Sequence, residues 1–184
     1  MKKARILITK KCDRDCDGCC NKSNILDSMK DLTDLQILKE YDTIMITGGE
    51  PVLEPEKLMN LLNWLDEHID HRVPIYFYSA RYDRILYEKI LRFITGLHFT
   101  LHAECNDEDI MDLRALSTFL KHYGYRKSLR LAIDKRVYDR YDLSNIDFLA
   151  RSIVRKMVWL KDCPLPEGEE LFYYPNDECI TISL

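Results

Sequence analysis

Residues 4–20, ARILITKKCDRDCDGCC, run an aliphatic, β-branched segment straight into a loop that holds four of the chain's seven cysteines. The first part predicts a strand over 4–10. Behind it, Cys12, Cys16 and Cys19 form the spacing C-x3-C-x2-C. Three thiolates from one short loop suit iron–sulfur ligation, because soft sulfur donors select such clusters and three ligands on a four-iron cube leave one iron open. The alternative is structural zinc, which takes four ligands in a closed tetrahedron. Cys20 directly follows Cys19, and sequence neighbours seldom both reach one zinc, so Cys163 or Cys179 would have to be recruited from far along the chain. The spacing therefore favours a cluster over zinc.

The rest of the composition narrows the setting of those thiols. At 184 residues the chain suits one domain with a continuous core. Hydrophobic residues make up 46% and charged residues 32%, with six Gly and six Pro, a folded composition with little room for disorder. The net charge of −4 is spread without a basic arm or stripe, so nucleic-acid binding is not indicated. No apolar run approaches the roughly 20 residues of a membrane span, and the opening MKKARILITKKC is too short and too soon charged for a signal peptide. A cytoplasmic protein is expected. In a reducing compartment, an odd number of clustered cysteines points to metal binding or reactivity before disulfides.

Strand-like runs recur at 4–10, 43–47, 73–79, 96–103, 129–133 and 155–160, about 30 residues apart, the length of a βα unit. Helical periods lie between them. LTDLQILKE carries the capping-box pair Thr33 and Gln36. EPEKLMNLLNWLDEHI aligns Leu58, Leu61, Leu62, Leu65 and Ile69 behind Pro55. NDEDIMDLRALSTFLKHYG starts at Asn106, aligns Ile110, Leu113, Ser117 and Leu120, and stops at Gly124. A further helix is expected near 143–152. Parallel βα units with right-handed crossovers leave a doubly wound sheet or part of a barrel. In either, ligands gather at the carboxyl ends of the strands, so the loops near Lys11, Gly48, Ser79, His102, Asp134 and Lys161 should share one rim.

The second chemical loop is TGGEP, Thr47 to Pro51. Paired glycines allow a close backbone approach that a Cβ blocks, and Glu50 offers a carboxylate to a cation. A Gly-Gly turn alone also suits an ordinary strand-to-helix connection. Placed one crossover after the three-cysteine loop, it resembles the radical S-adenosylmethionine superfamily, over nearly the whole chain. The resemblance implies an α/β fold, a partial (βα)6 TIM-type barrel of parallel strands. It implies a 4Fe-4S cluster on Cys12, Cys16 and Cys19 whose open iron chelates S-adenosylmethionine, with Gly48, Gly49, Glu50 and Pro51 at the cosubstrate's amino group. It implies reductive cleavage to a 5′-deoxyadenosyl radical that takes hydrogen from a substrate, with electrons from a flavodoxin or ferredoxin. By strand order, Ser79, Thr100, His102 and Asp134 become further cofactor contacts, with Arg81, Glu104, Lys135, Arg136 and Lys161 charging the rim. His102 could equally pack or face solvent, Tyr76 and Tyr78 read as core or lining, and Trp159 as a buried anchor.

Two features depart from the superfamily pattern. Many members carry an aromatic residue before the third cysteine, where this chain has Gly18. That glycine and the following NKS are similar to the activating enzymes of anaerobic ribonucleotide reductase, which also lack added domains. Those enzymes usually place an aromatic where Cys20 stands and have a longer lead-in, so Cys20 reads as a spare thiol. Residues 1–162 are expected to form the core domain and 163–184 a tail whose runs ELFYYP and CITISL form a β-hairpin, burying Phe172, Tyr173 and Ile180. Cys163 reads as inert. Three functional readings result: activation of a glycyl-radical protein, modification of a small polar or nucleotide-like molecule, and a non-catalytic zinc module.

Overall fold

A computed structural model describes residues 1–17, 19–22, 24–123, 126–146, 153–157 and 165–175. Its framework is one parallel sheet of eight strands: β1 (Lys3–Leu7), β2 (Lys30–Asp31), β3 (Thr43–Thr47), β4 (Ile75–Ser79), β5 (Gly96–Leu101), β6 (Ser128–Asp134), β7 (Ile153–Met157) and β8 (Glu169–Tyr173). Their order across the sheet is β2-β8-β1-β3-β4-β5-β6-β7. From β1 to β7 the long strands advance in one direction. Right-handed crossovers along this run, which does not reverse, place its helices on one face, whereas a doubly wound sheet must reverse. The order therefore selects the partial barrel, an open one whose edges are β2 and β7.

Three helices cover that face: α1 (Pro55–His68), α2 (Arg84–Ile90) and α3 (Asp107–Tyr123). Pro55 opens α1 at its first turn, and Leu58, Leu61, Leu62, Leu65 and Ile69 are all buried. In α3, Asn106 Oδ1 accepts from the Asp109 N–H at 3.1 Å while Asp109 Oδ2 accepts from the Asn106 N–H at 2.9 Å, a reciprocal cap that buries Asp109. Against these helices the strands present one apolar row, Phe172–Ile6–Ile46–Phe77–Leu97–Leu129, in register across six strands. Every member is buried. At roughly 1.5–3 kcal/mol per buried large side chain, this layer is the main source of stability.

Several expectations change in detail. The segment after Thr33 is a 3-10 helix, Leu35–Glu40, and its cap is Asp34, whose carboxylate accepts from Gln36 N–H. The side chain of Asp34, two residues before Gln36, outcompetes the more distant Thr33 hydroxyl. β1 ends at Leu7, and Ile8–Lys11 belong to the loop. The run ELFYY does form a strand, but it pairs parallel with β1 and with β2. Phe172 is buried and Tyr173 half-buried. The expected second leg, with Cys179 and Ile180, lies outside the described residues, as do Gly18, Gly124, Trp159, Lys161, Cys163 and most of the expected helix at 143–152. The short elements not foreseen include β2 and two α-helices, α2, capped by Asp83, and α4 (Lys135–Tyr138), capped by Asp134. Among the described residues, no helix is long and apolar enough to cross a membrane.

Candidate functional site

The cysteine loop and the Gly-Gly loop interlock at the carboxyl ends of β1 and β3. The ladder between these strands continues past their ends: Ile8 N–H donates to Thr47 O (2.9 Å), Gly49 N–H to Thr9 O (2.7 Å) and Glu50 N–H to Lys11 O (2.8 Å). A Cβ on Gly48 would stand 2.8 Å from Thr9 O, and one on Gly49 2.1 Å from Lys11 O. Neither backbone oxygen can retreat without breaking the ladder, so the glycines let the second loop press against the lead-in to Cys12. The close approach expected of this pair is thus made to the chain itself.

Glu50 is 2% exposed. Ser79 Oγ lies 2.7 Å from its Oε1, Ala80 N–H donates to its Oε2 at 2.9 Å, and Val52 N–H donates to Oε1 at 3.3 Å. Burial pushes the carboxyl up in pKa, opposed by these hydrogen bonds. Glu50 therefore caps the turn Pro51–Leu53 and ties it to the end of β4, while standing near enough to Cys12 to raise that thiol. Pro51 is buried in the same turn.

Cys12 is exposed, Cys19 half-buried and Cys16 buried, and all three are free thiols. Burial raises Cys12, and burial with Glu104 and Cys19 pushes Cys16 up to about 12. Cys16 feels Cys19 and Cys12, and Cys12 feels Cys19, so the three thiols are electrostatic neighbours within one loop. Thiols held protonated in this way make poor nucleophiles, whereas a soft metal centre displaces their protons and satisfies all three together. The donor set fits such a centre. Cys16 Sγ, a His102 ring nitrogen and a Glu104 carboxylate oxygen also lie within 4.8 Å of one another. Glu104 Oε1 accepts from the Asp17 N–H at 3.1 Å, which closes the β5 loop onto the cysteine loop. Burial keeps the His102 imidazole below its ordinary pKa.

The loop is anchored by charges, of which the sequence pointed to Arg81 but not to Arg14, Asp13 or Asp109. Arg14, between the first two cysteines, donates from Nη2 to Ala80 O at 2.8 Å and pairs with Asp109; the two side chains are 9% and 3% exposed. Arg81 pairs with Asp13 and lies 3.7 Å from Asp109. A buried pair of this kind costs much to break because it leaves one charge stranded. Arg14 Nη1 is buried with no hydrogen-bond partner. The sequence signal was the last acid in NDED, Asp109, three residues after the cap Asn106, which the helix pattern buries.

Of the remaining expected residues, Ser79 is buried on Glu50, and Thr100 is half-buried on β5 across from Ala132. Asp134 is 0% exposed, and its carboxylate accepts from Arg136 N–H (3.0 Å), Nε (2.8 Å) and Nη2 (2.7 Å). All stand at or near the carboxyl ends of the strands. By sequence, neither a family model nor a curated protein matches the chain. By structure, the chain is similar to Streptococcus suis SuiB bound to S-adenosylmethionine, with a TM-score of 0.52 and 16% identity over 80% of this chain and 35% of that one. The chain thus covers little more than a third of that protein, and the likeness is one of fold.

Proposed function

We propose that this chain is a radical S-adenosylmethionine enzyme in which Cys12, Cys16 and Cys19 hold a 4Fe-4S cluster. The observation that carries this reading is three free thiols in the loop after the first strand of an open, one-directional parallel sheet, locked to the Gly48–Gly49 loop. The fold shared with an S-adenosylmethionine-bound protein supports it. When bound, the cluster supplies one electron that converts S-adenosylmethionine to a 5′-deoxyadenosyl radical. The chain's own residues shape the site: Arg14, Asp109 and Arg81 fix the loop, and Glu104 and His102 close one side of it. Glu50 sets the Gly-Gly loop from within, through β4. A flavodoxin or ferredoxin is the electron donor in this reading, and hydrogen abstraction falls on a small polar molecule or on a glycyl-radical protein.

A second reading has its own observation. Cys16, His102 and Glu104 supply the sulfur, nitrogen and oxygen donors that zinc accepts, and a further cysteine of the loop would complete four. Anoxic reconstitution with iron and sulfide separates the two. The cluster reading expects about four irons per chain, as a cubane on three thiolates requires, and a spectrum that changes when S-adenosylmethionine is added. One zinc per chain with no iron–sulfur absorbance overturns it. Within the cluster reading, Cys16→Ala abolishes iron binding while Cys20→Ala and His102→Ala retain it. Loss of zinc on His102→Ala marks the alternative.

A further inference from the structure

The sheet's other face carries a different row. Tyr78, His98, Arg130 and Ile153 lie side by side in register across β4 to β7, and Leu171, Arg5, Met45 and Tyr76 across β8, β1, β3 and β4. Here the tyrosines and cations interleave. Tyr78 stacks on His98 at 4.6 Å, the Arg5 guanidinium lies 5.4 Å over the Tyr78 ring, and that of Arg130 lies 5.5 Å over Tyr76. Tyr78 Oη also reaches Met45 Sδ at 3.7 Å.

The charges on this face do not balance. Glu169 takes Arg5 in two hydrogen bonds, at 2.9 and 2.7 Å, and stands 3.9 Å from Lys3. Arg130 and Arg155 form no ion pair with any carboxylate among the described residues. Two polar atoms are also left over: Arg130 Nε and His98 Nδ1 are buried and have no hydrogen-bond partner. They belong to residues directly opposite each other on neighbouring strands. An unpaired buried donor on a cation is costly, and two at one register level mark a place where an acceptor from outside completes the structure.

We propose that this face, at the level of His98 and Arg130, binds an oxyanion, a carboxylate or phosphate group. The Arg130 fork donates to its oxygens, His98 donates through Nδ1–H, Arg155 and Arg5 supply long-range attraction, and the faces of Tyr76 and Tyr78 flank it. Such a group is recognised by a planar guanidinium better than any neutral ligand is. That the anion is part of the substrate rests on the radical enzyme reading; that the face binds an anion does not. The buried Arg130 Nε and His98 Nδ1 set the chemical class: an acid or a phosphorylated molecule, delivered with its reacting part toward the carboxyl ends of the strands.

Calorimetric titration of metal-free and of iron-reconstituted protein with inorganic phosphate and with succinate is the test, glycerol serving as the neutral control. Saturable binding of one or both anions is expected, weakened roughly ten- to hundredfold by Arg130→Gln, as loss of a charge-assisted hydrogen bond requires. Arg130→Lys is expected to recover part of it. On wild-type protein the His98 ring nitrogen signals move on addition of the bound anion, a readout independent of any variant's folding. Phosphate alone binding selects a phosphorylated molecule, and succinate alone selects a carboxylic acid. No saturable binding of either anion, or no movement of the His98 signals, overturns the proposal. Anion binding by a protein that takes up no iron retains this site and removes the cofactor reading; a cluster without anion binding does the reverse.

Discussion

The two faces of the sheet are built by the same strands and obey opposite rules. On the helix side, Ile46, Phe77 and Leu97 meet leucines of α1 and neighbouring helices, and Phe77 packs edge-on against Tyr87 at 5.9 Å. On the other side, one residue away along each strand, Met45, Tyr78 and His98 adjoin guanidinium groups. Period-two alternation assigns one side to stability and leaves the other to carry polar groups that packing alone does not satisfy. The lesson is that unsatisfied polarity in a well-packed sheet locates binding, since the core beside it shows that the fold can do without.

Substitutions at four positions break or sharpen this contrast. Phe77→Ala on the covered face is expected to cost about 4 kcal/mol in urea unfolding, the scale of a large core truncation; a cost under about 1 kcal/mol would deny that this layer carries the stability. Asp109→Ala should cost about 3 kcal/mol by stranding buried Arg14, and Asp109→Asn less, since it keeps an acceptor. The iron content of both variants reports whether the loop keeps its shape.

The third test uses pH. Burial, with Arg130, Arg155 and Arg5 nearby, lowers His98 from its ordinary value to about 4. The folded state therefore refuses a proton that the unfolded chain accepts near pH 6.5. The neutral ring contributes stability above pH 6.5, and that contribution is lost as pH falls through 4, in total about 2 to 3 kcal/mol. Unfolding free energies of wild type and His98→Asn should converge toward acid by that amount; parallel curves would show His98 to be solvated. The smallest effect belongs to Tyr78→Phe, which loses only a weak contact to sulfur. A change under about 0.5 kcal/mol is expected in the same measurement, and a larger one would give the polar face a structural role after all.

Much of the architecture was legible because it is local. Alternating runs located the six long strands of the partial barrel to within a few residues, and Pro55 and Asn106 marked the starts of α1 and α3. The three candidate ligand cysteines stand in one loop, so their spacing alone brought them together. Other parts were not legible because they join distant residues. The Gly48–Gly49 pair read as a ligand cradle, but its packing on the backbone of Thr9 and Lys11 was not legible. Nothing in NDED announces that Asp109 meets Arg14, a separation of 95 residues. The tail strand is most instructive: its alternation was visible, but partner and direction were not, because a strand's pattern records which face is buried and not which neighbour supplies hydrogen bonds.

From the amino-acid order one obtains the element types, the thiol donor set and the loop that carries it, since propensity, periodicity and short-range spacing act within a few residues. The choice of an open, one-way sheet over a doubly wound one, the anchoring of the cysteine loop by Arg14 and Asp109, and the meeting of His98 with Arg130 all arise from contacts between strands and loops far apart in the chain. Burial and charge pairing settle those contacts, and both exist only once the sheet has closed its apolar face against the helices.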